Sequence, residues 1–216
     1  MHSKFIDLSH KIEEDMPTFK GIEKPRIYPV LTHEASRQRY SGFAEFELTR
    51  VELTTSIGTY IDSPYHRHRD MEDISSIKLE DVILDGVLAK SRGKALFPES
   101  LEMEDKNLSG KAVLINTGWS RFWRSEEYFD HPFVTAELAE YFVEQNVRLV
   151  GIDTINIDNP EDLSRPAHTI LLRNHIYIVE NLNNLHLLYG KKFIFFAVPL
   201  KIRAAAFPVR AFAEIF

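Results

Sequence analysis

Along residues 43–55, FAEFELTRVELTT, apolar and polar positions alternate over much of the length, with Phe43, Phe46 and Leu48 in the apolar set. A two-residue period puts one face of a strand on a core. The pattern therefore predicts a long, half-buried strand running straight into the segment 54–70. The period changes near residue 110. AVLINTG (112–118) is a continuous apolar run ending in Gly118 and reads as a buried strand. TAELAEYFVEQN (135–146) has the helical period: Thr135 can cap its start, Leu138, Tyr141 and Phe142 form an apolar stripe, and Asn146 can close it in a left-handed conformation. RLVGID (148–153) returns to a strand, so this part predicts a βαβ unit with parallel pairing beside an antiparallel N-terminal part.

Further on, Pro166 suits the first turn of a short helix, AHTILLRN, with Asn174 as its stop. IYIVE (176–180), KFIFFAVPL and the C-terminal VRAFAEIF read as three more strands. The expected architecture is an α/β fold: a single domain over 1–216 with a mixed, curved, barrel-like sheet and flanking helices. No repeat, low-complexity stretch or Gly/Ser linker interrupts it.

Composition narrows the chemistry more than the fold. None of the 216 residues is cysteine, which excludes disulfides, thiolate nucleophiles and Cys-ligated zinc; any metal must be held by His, Asp and Glu. A net charge of -6 gives no electrostatic reason to expect a nucleic-acid or anionic-membrane partner. MHSKFIDLSHKIEEDM has no apolar core of the signal-peptide kind, and the apolar run FIFFAVPL is far shorter than the roughly 20 residues of a membrane span. A soluble, cytoplasmic protein is the expectation.

Nine histidines compete for a role: His2, His10, His33, His66, His68, His131, His168, His175 and His186. His2 is terminal, and His131 and His186 have no acidic partner at ligand spacing, so these three are expected to be ordinary. In TTSIGTYIDSPYHRHRD (54–70), Pro64 fixes the backbone between Asp62 and His66, and Gly58 permits a tight turn. Such stiffness suits a carboxylate and an imidazole that meet one reacting centre; it equally suits a plain Asp-Ser-Pro turn with exposed histidines. His168 opens the short helix, and Glu180 ends the strand after the run IYIV. Glu180 is either a solvated strand-end residue or a carboxylate near the core that needs a metal or a basic partner.

These residues resemble the cyclase family of metal-dependent hydrolases, which includes bacterial kynurenine formamidases and isatin hydrolases. FIDLSHKIEEDMP (5–17), INTGWSRFW (115–123), LVGIDT (149–154), RPAHTILLRNHIYIVENL (165–182) and VPLKIRAAAFPVRAFA (198–213) resemble the family's blocks in the same order. The family signature, His-x-Gly-Thr-His-x-Asp-x-Pro-x-His, reads here Ser56-Ile57-Gly58-Thr59-Tyr60-Ile61-Asp62-Ser63-Pro64-Tyr65-His66. The resemblance implies that Asp62, His168 and Glu180 are metal ligands and His66 a general acid/base. It also implies that Ser56 and Tyr60 stand where the two histidines of a first metal would be. Serine and tyrosine hydroxyls are poor neutral ligands for zinc or manganese, so a reduced centre with one divalent ion is expected: zinc or manganese, with magnesium acceptable to the carboxylates, or no metal at all.

The implied activity is hydrolysis of a small amide, cyclic amide or ester substrate, at a carbon–nitrogen bond as in the arylformamidases of tryptophan catabolism. A metal-free cyclase or lyase, and a catalytically silent small-molecule-binding protein, stand beside it on the same scaffold. The resemblance further implies a homo-oligomer built from dimers, in which the loop MPTFKG (16–21) of one subunit approaches the pocket of another; Phe19 is then either an aromatic wall of that substrate pocket or a local core residue. In that place Tyr60 would either fill space or donate a hydrogen bond to a bound water or an oxyanion.

Overall fold

The computed structural model describes residues 4–216; His2 lies outside them. In chain order the elements are β1 (Lys4–Asp7), β2 (Arg26–Leu31), α1 (His33–Arg39), β3 (Leu48–Glu52), β4 (Tyr60–Asp62), β5 (Ile83–Ser91), β6 (Ala95–Leu96), β7 (Leu101–Met103) and β8 (Ala112–Asn116). They continue with β9 (Phe133–Val134), α2 (Ala136–Glu144), β10 (Leu149–Ile152), α3 (Pro166–Arg173), β11 (Tyr177–Glu180), β12 (Phe193–Phe196), β13 (Ala206–Pro208) and β14 (Phe212–Ile215). Among the described residues no helix is long and apolar enough to cross a membrane.

Ten strands form one sheet in the order β1-β14-β12-β5-β8-β10-β11-β4-β13, with β7 branching off β5. Its centre, β5-β8-β10-β11, is parallel. The flanking pairs, including β11-β4 and β4-β13, are antiparallel. The connectivity forces the sheet to curl. β13 ends the path and β14 is next to its other end, seven strand spacings away, yet only Val209–Ala211 join them. Laid flat, seven spacings would put them roughly 33 Å apart, whereas that link reaches at most about 14 Å. The pairs at the two ends run on into this link, with Val209 N–H on the Thr59 carbonyl (2.9 Å) and Leu8 N–H on the Ala211 carbonyl (2.9 Å). His10 N–H joins the segment after β1 to the Thr59 hydroxyl before β4 (3.0 Å). The fold is thus a mixed α/β architecture with a barrel-like sheet.

Both faces of this sheet are covered, which explains why β8 reads as an unbroken apolar run. Ala112, Leu114, Leu149, Val179, Phe193 and Phe195 fill the inner face. Val113, Ile115, Val150, Ile152 and Ile178 face outward onto Leu138 and Phe142 of α2 and Leu171 and Leu172 of α3. α2 begins as its sequence specifies, with the Thr135 hydroxyl accepting from Leu138 N–H (3.3 Å), and Asn146 closes it with φ 55°.

Two regions differ from the sequence pattern. The alternation over 43–55 does not give a half-buried strand: β3 pairs only with β2, in a two-stranded ribbon whose Val30, Leu48 and Val51 are half exposed, and Phe43 is 94% exposed. Its apolar residues have no core of this chain beneath them. Nor does this strand run into the site segment, which enters the main sheet separately as the short, fully buried β4. The nine-residue β5, second strand of no predicted unit, is central to the sheet. Its sequence ILDGVLAKS carries a glycine and two charges, which mask the periodicity.

Candidate metal centre

Three sheet positions and one helix turn build the site. β4 and β11 are antiparallel, with Glu180 directly opposite Tyr60 and Ile178 opposite Asp62. Side chains at i and i+2 share a face, so Tyr60, Asp62 and Glu180 project together toward the helix side of the sheet. There α3 presents His168 from its first turn. Asp62, His168 and Glu180 each offer a ligand atom within 4.8 Å of the others, and all three are buried. His168 Nε2 lies 3.7 Å from Asp62 Oδ2 and 3.5 Å from Glu180 Oε1.

Gly58 lets the chain enter this corner. Its φ is +63°, and an added Cβ would come 2.9 Å from Ile12 Cγ1. Its carbonyl accepts from Asn181 Nδ2 (2.7 Å), which ties the strand entrance to the residue after Glu180. The segment 8–16 packs over it, with Met16 wholly buried and His10 N–H bonded to the Thr59 hydroxyl (3.0 Å).

The electrostatics ask for a cation. Asp62 has no solvent exposure, and neither of its oxygens has a hydrogen-bond partner among the described residues. Burying an ion unpaired costs several kcal/mol. Glu180 is better placed, accepting from Ile157 N–H (2.6 Å) and from the Tyr60 hydroxyl. Asp158, also fully buried, accepts from His168 Nδ1 (2.6 Å). Three buried carboxylates thus face one imidazole, so even the imidazolium leaves negative charge uncompensated. Burial alone would lower the pKa of His168, but the bond to Asp158 and the nearby charges of Glu180 and Asp62 outweigh it and push it up to about 10. Burial raises the carboxyl of Glu180 against the opposing pull of His168, with Asp62 adding to the rise. An oxygen-rich set with one imidazole and an orphaned carboxylate fits a divalent ion.

The other candidates fall around this cluster. His66 ends a single 3-10 turn, Pro64–His66, that follows β4. Its Nδ1 is 3.4 Å from Asp62 Oδ1 and its side chain is 35% exposed, so it faces the open side of the site. Its neighbour Arg67 donates to the Thr169 hydroxyl (2.9 Å) and the Ser164 carbonyl (2.6 Å), which clamps this turn onto α3. Ser56 is half-buried in the loop before β4. The Tyr60 hydroxyl donates to Glu180, its cross-strand partner. Phe19 lies under the Arg165 guanidinium of its own chain (5.5 Å), at the start of α3.

The sequence reading missed Asp158. Its oxygens accept from Ala167 N–H (2.7 Å) and His168 N–H (3.1 Å) besides the imidazole. The available signal was negative: Arg165, at the capping position of α3, has no side-chain acceptor, so a remote one is needed. His131 is buried, with Nδ1 facing the Pro132 carbonyl (2.9 Å) and Nε2 without a partner among the described residues.

Comparison with known proteins identifies the family. A family model described as "Putative cyclase" matches residues 6–159. A kynurenine formamidase of Bacillus anthracis is 29% identical over 217 residues, covering 97% of this chain and 96% of the relative. An uncharacterised protein of Methanocaldococcus jannaschii is 33% identical over 174 residues, covering 78% and 83%. Among solved structures, isatin hydrolase A from Labrenzia aggregata superposes with a TM-score of 0.84 at 22% identity, over 99% of this chain and 94% of that one. A potential metal-dependent hydrolase with cyclase activity gives 0.81 at 23% identity, over 99% and 98%. With a family model matching most of its length and a relative 33% identical, the chain belongs to the family described as putative cyclases.

Proposed function

We propose that this protein is a metal-dependent hydrolase of a small amide, cyclic amide or ester, using one divalent ion held by Asp62, His168 and Glu180. The observation that carries the reading is Asp62: a fully buried carboxylate with no hydrogen-bond partner, 3.7 Å from an imidazole that shares its site with Glu180. Formamidase and isatin hydrolase relatives support the same reaction class. A divalent ion here would act as a Lewis acid toward a carbonyl and make water acidic enough to serve as nucleophile near neutral pH. His66 takes the proton from the attacking water and returns it to the departing nitrogen or oxygen. Its Nδ1 faces Asp62 at 3.4 Å, which orients the ring, while its partial exposure leaves the other nitrogen toward the substrate side. Phe19, beside Arg165 at the start of α3, supplies an aromatic wall.

We further propose a homo-oligomer built from dimers, supported by the ribbon of β2 and β3, whose Val30, Leu48 and Val51 leave apolar surface without a partner in this chain.

The test is to purify the protein without chelator or histidine tag and count bound metal by mass spectrometry. One ion per chain, lost in Glu180→Gln and Asp62→Asn, is expected. Turnover of N-formylkynurenine, isatin or simple lactones should then depend on that ion. No ion even after dialysis against zinc and manganese, or turnover indifferent to chelators, overturns the one-metal reading in favour of a metal-free enzyme or a binding protein.

A further inference from the structure

The imidazole of His168 has two nitrogens with different neighbours. Nδ1 is 2.6 Å from Asp158 Oδ2, whereas Nε2 faces Asp62 at 3.7 Å and Glu180 at 3.5 Å. Asp158 is fully buried, and every contact it makes is to the first turn of α3: Oδ1 accepts from Ala167 N–H (2.7 Å), and Oδ2 from His168 N–H (3.1 Å) and the ring. Its own backbone is held by Asn156, whose Oδ1 accepts from Asp158 N–H (2.9 Å). One carboxylate therefore closes the helix start and grips the side chain that the helix delivers.

We propose that Asp158 is the positioning residue of the metal centre. By accepting the proton of Nδ1 it fixes His168 in the tautomer whose Nε2 lone pair points at the space between Asp62 and Glu180. A carboxylate behind a ligating histidine raises its basicity and locks its ring orientation. Here the lock is doubled, because the same carboxylate satisfies two N–H groups at the helix start and so fixes the backbone carrying the ring. This inference rests on reading Asp62, His168 and Glu180 as a metal centre.

Asp158→Asn tests it. If the amide oxygen keeps the Ala167 bond, its NH2 meets both the His168 N–H and Nδ1, which breaks that backbone bond and forces the ring proton onto Nε2, blocking the lone pair. If the amide turns over, the Ala167 bond is lost instead. Either way, zinc affinity measured by chelator competition should fall 10- to 100-fold, the usual effect of removing such a partner. Thermal stability of the metal-free variant, compared in the wild-type and Glu180→Gln backgrounds, isolates the cost of the helix cap; the loss of zinc affinity should exceed it. Should the variant not fold, nitrogen NMR of 15N-histidine in the zinc-loaded, unsubstituted protein gives the same answer. His168 is expected to carry a slowly exchanging proton on Nδ1 and none on Nε2. Unchanged zinc affinity in Asp158→Asn, or a proton on Nε2, overturns this inference alone. An unsubstituted protein that binds no zinc overturns the metal-centre reading and this inference with it.

Discussion

The Tyr60 phenol donates its hydrogen bond to the Glu180 carboxylate across the β4–β11 pair, where the two residues are direct cross-strand partners and both are buried. The resemblance implies a histidine at the Tyr60 position, and on that reading this bond occupies space that a ligating imidazole would take. Burial, then the charges of Glu180 and Asp62, pushes the phenol well above its usual range, so it stays a neutral donor. Tyr60→Phe should leave one oxygen of Glu180 without its donor and lower stability by about 1–3 kcal/mol, measurable by denaturant unfolding. The double substitution Ser56→His with Tyr60→His should raise bound zinc from one ion per chain to two; a stoichiometry that stays at one would show that more than these side chains closes the first position.

On the proposed reading His66 moves protons rather than holding the ion, a reading supported by its partial exposure and its place outside the Asp62, His168 and Glu180 cluster. His66→Ala should therefore keep stoichiometric metal while the turnover number falls by roughly 10²- to 10⁴-fold, the usual contribution of a general acid/base. Loss of the metal in this variant would instead make His66 a ligand.

Acid should weaken the fold through His10. Its ring lies flat on Trp123, with centroids 3.8 Å apart at 7°, and Nε2 has no partner. Burial, aided by the charge of Arg124, lowers its pKa from 6.5 to about 4. A histidine that resists protonation when folded contributes stability that is complete above pH 6.5 and disappears as the pH falls toward 4, up to about 3 kcal/mol. His10→Phe keeps the stack and removes the titration. The drop in melting temperature between pH 6.5 and 4 should shrink in this variant, with a remainder from His131, whose pKa burial also lowers. An unchanged acid slope would mean that His10 does not contribute.

The exposed ribbon should be the dimer contact. Replacing Leu48 and Val51, both about half exposed, with lysine removes apolar surface without touching either core. Sedimentation should then show a smaller species than the parent at micromolar concentration, with unchanged circular dichroism. A parent that already sediments as a monomer rules the dimer out.

Local pattern alone determined the β8–α2–β10 unit, its Thr135 cap and Asn146 closure, the helix opened by Pro166, and the strands around residues 178, 194 and 213, because each depends on neighbours within a few residues. The sequence blocks and signature also indicated Asp62, His66, His168 and Glu180. Whether the alternation over 43–55 faced a core was not legible, since periodicity defines a face but not what covers it; here the chain itself leaves Phe43 and Val51 exposed. The central β5 was hidden for a related reason: Gly86 is required by the Phe193 ring packed against it, a contact between residues far apart in sequence. The site's finer chemistry belongs wholly to tertiary structure. Register between β4 and β11 sets Tyr60 opposite Glu180, and a loop ten residues before His168 brings Asp158 to its ring. Such partnerships arise only when strands pair and a helix docks, and no local spacing encodes them.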